Sequence, residues 1–264
     1  MTTVADIVAY FDEQTPSVLA EPWDNVGLLI GRATNEVKSI LTCLTLTPDV
    51  AREAIDREVD FIVSHHPILF RPVQKITTAN AEGEMILDLI EAGIAVFSPH
   101  TRYDSAPLGI NQQLAELLGL TNIQPLRPLT EDDATIGSGR YGRLPAAMPF
   151  DEFVDRVKTE LHIPALSLAG AKKEAISTVA IACGSAGEFL KDAARAGCDL
   201  FITGEARFHT AFEAIELDIA LLLAGHYQTE RPAMENLAQR LKTALPDVNV
   251  LASNAETDPF DWRL

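Results

Sequence analysis

Asp60-Phe61-Ile62-Val63-Ser64-His65-His66-Pro67 decides the fold. Phe61 to Ser64 are apolar or small at four consecutive positions. That run is too short for a helix and suits a strand covered on both faces. Pro67 cannot extend a ladder, so the strand stops there. In open α/β sheets, ligands bind at the carboxyl ends of strands. His65 and His66 at such an end are candidate metal ligands, because neutral imidazole is the commonest protein ligand. The plainer alternative is one capping histidine and one solvated one.

Around this stretch the pattern is β-α-β-α-β. Ile40 to Thr47 reads as a strand with Ile40, Thr42, Leu44 and Leu46 on one face. Pro48 suits the first turn of a helix reaching about Glu58. After the histidines, Asn80 opens a helix through Met85, Ile86, Leu89 and Ile90, with Gly93 at its C′ position. Ile94 to Ser98 is the next strand, and it too runs into a histidine, in Ser98-Pro99-His100-Thr101-Arg102-Tyr103-Asp104. A helix over about Pro107 to Leu118 closes the half. At the other end, Thr3 caps a first helix that Pro16 terminates. Trp23-Asp24-Asn25-Val26-Gly27 is a tight loop into a strand. Asp24 and Asn25 either form its turn, the simpler reading, or face a site.

The second half repeats the first. A shift of 139 positions carries Val37–His66 onto Ile176–Glu205 without a gap. Asp60 lands on Asp199, and Phe61-Ile62-Val63-Ser64 on Leu200-Phe201-Ile202-Thr203. Further on, His100-x-x-x-Asp104 is echoed by His226-x-x-x-Glu230. An internal duplication of an α/β unit explains this, with too few copies for a solenoid. The halves are expected at residues 1–127 and 128–264. The boundary falls in a Pro- and Gly-rich stretch, Gln124 to Pro149, that also holds the acidic cluster Glu131-Asp132-Asp133.

Pooling the strand ends gives His65, His66, His100, Asp104, Glu205, His226 and Glu230. His209 follows Glu205 by four residues, the spacing of one helix face. Four of the six histidines sit at strand ends, which random scatter would seldom produce. Imidazole and carboxylate without thiolate suit zinc, manganese, iron, cobalt or nickel. Adjacent strand residues point to opposite sides, so His65 and His66 suit two metals side by side better than one. Gly184-Ser185-Ala186-Gly187 reads either as an anion site at a helix N-terminus or as a turn that lets the helix pack closely.

Composition narrows the partners. The formal charge of -17 argues against a nucleic-acid backbone, whose binding needs clustered Lys and Arg. The longest apolar run, Ile219 to Ala224, is far short of the ~20 residues of a membrane span. Met1 to Tyr10 lack a basic start and a long apolar run, so no secretory signal is expected. Cys43, Cys183 and Cys198 lack C-x-x-C spacing. They read as buried free thiols in a reducing cytoplasm.

The motifs Trp23-Asp24-Asn25-Val26-Gly27-Leu28, Ser64-His65-His66-Pro67, His100-Thr101 with Asp104, Gly197 to Glu205 with His209, and Gly225-His226-Tyr227 with Glu230 occur together and in order. Over nearly the whole length the chain thereby resembles the dinuclear-metal family named after an NGG1-interacting factor, also known as GTP cyclohydrolase 1 type 2 homologs, in its short bacterial form. The resemblance implies two similar three-layer α/β/α halves with the metals between them, and a ring-shaped homohexamer. It implies two divalent ions (zinc, manganese or iron) ligated by His65, His66, Asp104, His226 and Glu230, with Glu230 bridging. His100, Glu205 and His209 would face a small-molecule substrate, a purine nucleotide whose guanine imidazole ring is opened by hydrolysis. Alternatives of other classes are a non-catalytic metal-binding ring and a two-metal phosphoesterase. Two residues depart from the family: Arg102 stands where Asn is frequent and is expected to alter the charge of the cleft. Thr229 replaces a common Ser without expected effect.

Overall fold

The computed structural model of the chain describes residues 1–130, 135–170 and 172–263; Glu131-Asp132-Asp133 lie outside them. The first elements are α1 (Val4–Gln14), β1 (Gly27–Ile30), β2 (Ser39–Thr45), α2 (Pro48–Asp56), β3 (Phe61–His66), α3 (Ala81–Glu91) and β4 (Ala95–Ser98). Next come α4 (His100–Ser105), α5 (Ile110–Leu117), β5 (Thr121–Gln124), β6 (Arg127–Pro128), β7 (Gly137–Ser138), β8 (Arg140–Pro149) and α6 (Phe150–Glu160). The last are β9 (Ser167–Gly170), β10 (Ala175–Ala182), α7 (Leu190–Arg195), β11 (Leu200–Thr203), α8 (Phe208–Glu216), β12 (Ala220–Leu223), α9 (His226–Ala244) and β13 (Asn249–Ala252).

Local chemistry sets the helix starts. Thr3 and Asp6 close a reciprocal capping box on α1, the Asp6 carboxylate accepting from the Thr3 N–H at 2.8 Å. Thr47 caps α2 just ahead of Pro48. Asn80 caps α3 by accepting from the Gly83 N–H at 2.7 Å.

The chain forms two compact units. One comprises Met1–Tyr103 and Met234–Thr257, the other Asp104–Ala233 and Asp258–Leu264. The chain thus passes from one unit to the other three times. The cause lies in the first sheet, ordered β1-β4-β3-β2-β13. Its β2 edge is covered by β13, which returns from the end of the chain and pairs in parallel, Val250 opposite Ile40. An open edge of buried residues would otherwise present unpaired backbone groups.

Each unit carries a parallel three-strand centre with an antiparallel strand beside it: β2-β3-β4 with β1, and β10-β11-β12 with β9. The register is duplicated as well. Ile40 faces Phe61, and Val179 faces Leu200, the same pair displaced by 139. Asp60 Oδ2 accepts from the N–H groups of Lys38 (2.8 Å) and Ser39 (2.9 Å). Asp199 Oδ2 accepts from those of Ser177 (2.8 Å) and Thr178 (3.0 Å). The aspartate just before the middle strand thus pins the start of its neighbour in both units.

Helices cover the sheets. In the first unit Leu41, Ile62 and Val96 pack with Val50 and Ala54 of α2 and Ile86 and Leu89 of α3. In the second, Ala180, Phe201 and Leu221 pack with Leu190, Ala193 and Ala214. Burial of each large apolar side chain contributes about 1.5–3 kcal/mol. All three cysteines are buried and outside any disulfide. Arg140, 1% exposed, donates to the carbonyls of Gly137 (2.5 Å), Gly139 (2.7 Å) and Ala106 (2.9 Å). Burial pulls its pKa down to about 10, still charged at neutral pH. Among the described residues no helix is long and apolar enough to cross a membrane.

Candidate metal centre

Within the first unit, β3 and the start of α4 bring three imidazoles together. His65, His66 and His100 offer ring nitrogens all within 4.8 Å of one another. The backbone at the strand end is fastened by serine hydroxyls. Ser98 Oγ donates to the His65 carbonyl at 2.6 Å, and Ser64 Oγ to the His66 carbonyl at 2.8 Å. His100 itself has a φ of +29°, a region that non-glycine residues occupy at a cost when the surroundings hold them there.

Side chains that sequence reasoning did not assign orient these rings. Asp24 Oδ1 lies 2.8 Å from His100 Nδ1. Its other oxygen accepts from Thr101 Oγ1 at 2.5 Å and from the Thr101 N–H at 3.2 Å. Burial raises the Asp24 pKa, but the hydrogen bonds and charge from His100 and Thr101 outweigh it and hold the carboxyl below its ordinary value. An ionised Asp24 accepts only, so His100 Nδ1 carries the hydrogen and Nε2 is the donor atom toward the triad. Thr45 Oγ1 lies 2.8 Å from His66 Nδ1 and plays the same orienting part. Carboxylate or hydroxyl on one nitrogen and the ligand on the other is the usual arrangement of metal-binding histidines. The turn reading of Asp24 gives way to one that faces the site.

The second unit assembles carboxylates around a histidine. His226, at the start of α9, has Nδ1 2.7 Å from Glu205 Oε1 and Nε2 3.0 Å from Glu230 Oε2. Burial lowers the His226 pKa, but the hydrogen bonds and charges of Glu230 and Glu205 outweigh it and raise it to about 9. A cation in place of the Nε2 proton would meet the Glu230 carboxylate, while Glu205 would go on accepting from the Nδ1–H. Burial, then the charges of Glu230 and Asp104, push the Cys183 thiol well above its ordinary value, which excludes a resting thiolate. Asp104 is tied in through Asn111, 4% exposed. Its amide donates to the Asp104 carbonyl at 3.1 Å and accepts from the Cys183 N–H at 2.8 Å.

Glycine makes room for this cluster. Gly184 sits at φ +66°, and a Cβ there would overlap Glu230 Oε1 and stand 3.1 Å from His226 Nε2. The Gly184 N–H donates to Thr229 Oγ1 at 3.2 Å, and that hydroxyl contacts the His226 carbonyl at 2.9 Å. Thr229 therefore supplies the hydroxyl that a Ser would. Gly187 has a different use: its Cβ would meet that of Ala206 at 2.8 Å. Of the two readings of this loop, close packing holds at Gly187. The helix beyond, α7, has six residues, too few for an anion site.

Two expectations are corrected. Glu205 precedes α8, which begins at Phe208, so Glu205 and His209 do not share a helix face. His209 lies exposed with its ring against those of Phe208 (5.7 Å) and Phe212 (6.4 Å). Arg102 is 3% exposed and points into α1, donating to the Thr15 carbonyl (2.5 Å) and Asp12 Oδ1 (2.7 Å). Its charge complements the C-terminal end of that helix rather than altering the site.

The sequence and the fold have matches among known proteins. A model of the Duf34/NIF3 (NGG1p interacting factor 3) family matches residues 2–259. The chain belongs to the DUF34/NIF3 family. Among its relatives, a GTP cyclohydrolase 1 type 2 homolog of Clostridium acetobutylicum is 33% identical over 98% of both chains. A protein of the same name from Clostridium perfringens is 34% identical over 97% of this chain and 98% of its own. The crystal structure of Staphylococcus aureus protein SA1388 superposes with a TM-score of 0.88 and 29% identity, covering 99% of both chains. This DUF34/NIF3 chain keeps the alternating helix and sheet layers expected of it, and its buried His and Glu groups could hold a metal ion.

Proposed function

We propose that this DUF34/NIF3 chain is a metal-dependent hydrolase of purine nucleotides. His65, His66, Asp104, His226 and Glu230 would hold two divalent cations, zinc, manganese or iron. The observation that carries the reading is the orienting contact at Nδ1 of His66, His100 and His226. Bound cations would supply Lewis acidity to the substrate. Asp24 fixes the hydrogen on His100 Nδ1, and Glu205, half exposed beside His226, is placed to pass a proton to or from solvent. His209 is proposed for proton transfer on the sequence resemblance. Such groups contribute typically 10²–10⁴-fold each.

The names of the two clostridial relatives support a GTP cyclohydrolase-like reaction, in which the imidazole carbon of guanine leaves as formate. The family resemblance supports assembly as a homohexamer. The test is reconstitution with zinc, manganese or iron, elemental analysis, and addition of GTP with formate detection. Two metals per chain and formate release lost in Glu230→Ala are expected. Metal-loaded protein that releases phosphate without formate would overturn the cyclohydrolase chemistry in favour of a phosphoesterase.

A further inference from the structure

The imidazole triad of the first unit has an aromatic wall. Trp23 is 60% exposed and Phe70 46% exposed, and the two rings lie side by side rather than scattered. Their centroids are 6.0 Å apart at 80°. Each also stands edge-to-face to His100, Trp23 at 6.2 Å and 75°, Phe70 at 6.3 Å and 90°. His100 in turn lies 5.2 Å from the His65 ring and 5.8 Å from the His66 ring. The exposed faces therefore begin where the candidate metal ligands end.

These rings are held on fastened loops. Asp24, fully buried in its side chain, ties the Trp23 loop to His100 and Thr101. The Glu21 N–H donates to Thr101 Oγ1 at 3.0 Å. Asn25 Nδ2 donates to the Leu69 carbonyl at 2.9 Å, joining the Trp23 loop to the Phe70 loop. Leu69 is kept at φ +53°, in the left-handed region that costs about 1–2 kcal/mol for a residue with a Cβ. Strain and partly buried hydrogen bonds hold two large rings at the surface. Such preorganisation favours binding, because little order is lost when a ligand arrives.

We propose that Trp23 and Phe70 form a stacking platform for a planar heteroaromatic ring of nucleobase size, whose polar edge or attached group reaches the His65–His66–His100 triad. The proposal deepens the hydrolase reading by assigning ring recognition, and rests on it only for the role of the triad. Two rings in edge-to-face arrangement give a flat ligand one face to stack on and one edge to meet. Base stacking on such side chains is sequence-tolerant and is removed by alanine substitution.

The probes are guanosine 5′-monophosphate and ribose 5-phosphate, titrated calorimetrically into metal-loaded wild type, Trp23→Ala, Phe70→Ala and Trp23→Phe. Nucleotide affinity should fall about 5- to 150-fold in each alanine variant and be largely restored in Trp23→Phe. Ribose 5-phosphate affinity and metal content should not change. Unchanged nucleotide affinity would overturn the proposal, as would a parallel loss for ribose 5-phosphate, or wild type that binds neither this nucleotide nor adenosine 5′-monophosphate. A change in sedimentation without a change in nucleotide affinity would reassign the rings to contact with a second copy, and so also overturn it. Ring binding without formate release from GTP would sink the hydrolase reading and leave the platform standing.

Discussion

Gly184→Ala probes the carboxylate cluster without replacing any of its side chains. The new Cβ would overlap Glu230 Oε1 and lie 3.2 Å from Glu230 Cδ and 3.1 Å from His226 Nε2. Relief requires the carboxylate to retreat by well over ~1 Å to reach ordinary contact. A carboxylate–zinc bond is about 2.0–2.2 Å long, so a retreat of that size breaks it. The φ of +66° adds about 1–2 kcal/mol of backbone strain, which is a few degrees of Tm in a chain of this size. Metal affinity should therefore fall by at least about 10–100-fold, on the scale of losing a supporting residue, while circular dichroism still shows a folded protein. The assay is a metal titration with a chelator competitor on wild type, Gly184→Ala, Glu230→Ala and the double variant. If the alanine acts through Glu230, the double variant binds no more weakly than Glu230→Ala alone. Full affinity in Gly184→Ala, or a further independent loss in the double variant, would refute the reasoning.

Four other outcomes are expected. His66→Ala should lose metal by elemental analysis while keeping its far-UV spectrum; unchanged metal content would remove His66 from the ligand set. Arg140→Met leaves the carbonyls of Gly137, Gly139 and Ala106 without their donor, and urea unfolding should show a loss of roughly 2–4 kcal/mol. Burial raises the Glu53 pKa, but hydrogen bonds from Ser253, Ala255 and Asn254 outweigh it and hold the carboxyl below 4.5. Its contribution to stability is thus present above pH ~4.5 and lost as pH falls through the depressed folded value; Glu53→Gln should flatten that acid limb in unfolding curves taken from pH 7 to 3. Glu58→Gly relieves a φ of +52°, at the position where the second unit has Gly197 at +72°, and should raise stability by up to about 1 kcal/mol in thermal melts.

Periodic features were legible in the sequence; single polar contacts were not. The central strands and their helices follow from apolar runs, and the 139-residue shift carries even the pairing register and the Asp60 and Asp199 anchors. The antiparallel strands β1, β8 and β9 and the edge strand β13 carry no long apolar run. β13 is four residues with one exposed and two half-buried, so neither its existence nor the crossings that it imposes could be read. Four of the six histidines stood out as candidate positions because imidazole is rare and sat at strand ends. Asp24, Thr45, Asn111 and Gly184 act through a few hydrogen bonds or through missing volume, and no spacing rule marks them. Arg102 misled because a charge at a motif position was assumed to face the site, when the helix end beside it offered carbonyls.

The strand β13 has a consequence for biosynthesis. The first sheet takes its fifth strand from residues made about 200 positions after β2. At 5–20 residues per second, β2 waits about 10–40 s for that partner. During that interval the edge formed by Ile40, Leu41 and Thr42 is exposed to any other strand that can pair with it. The first unit, although begun first, can be completed only after residues 104–233 of the second have been made, so chaperone dependence should concentrate in the amino-terminal half.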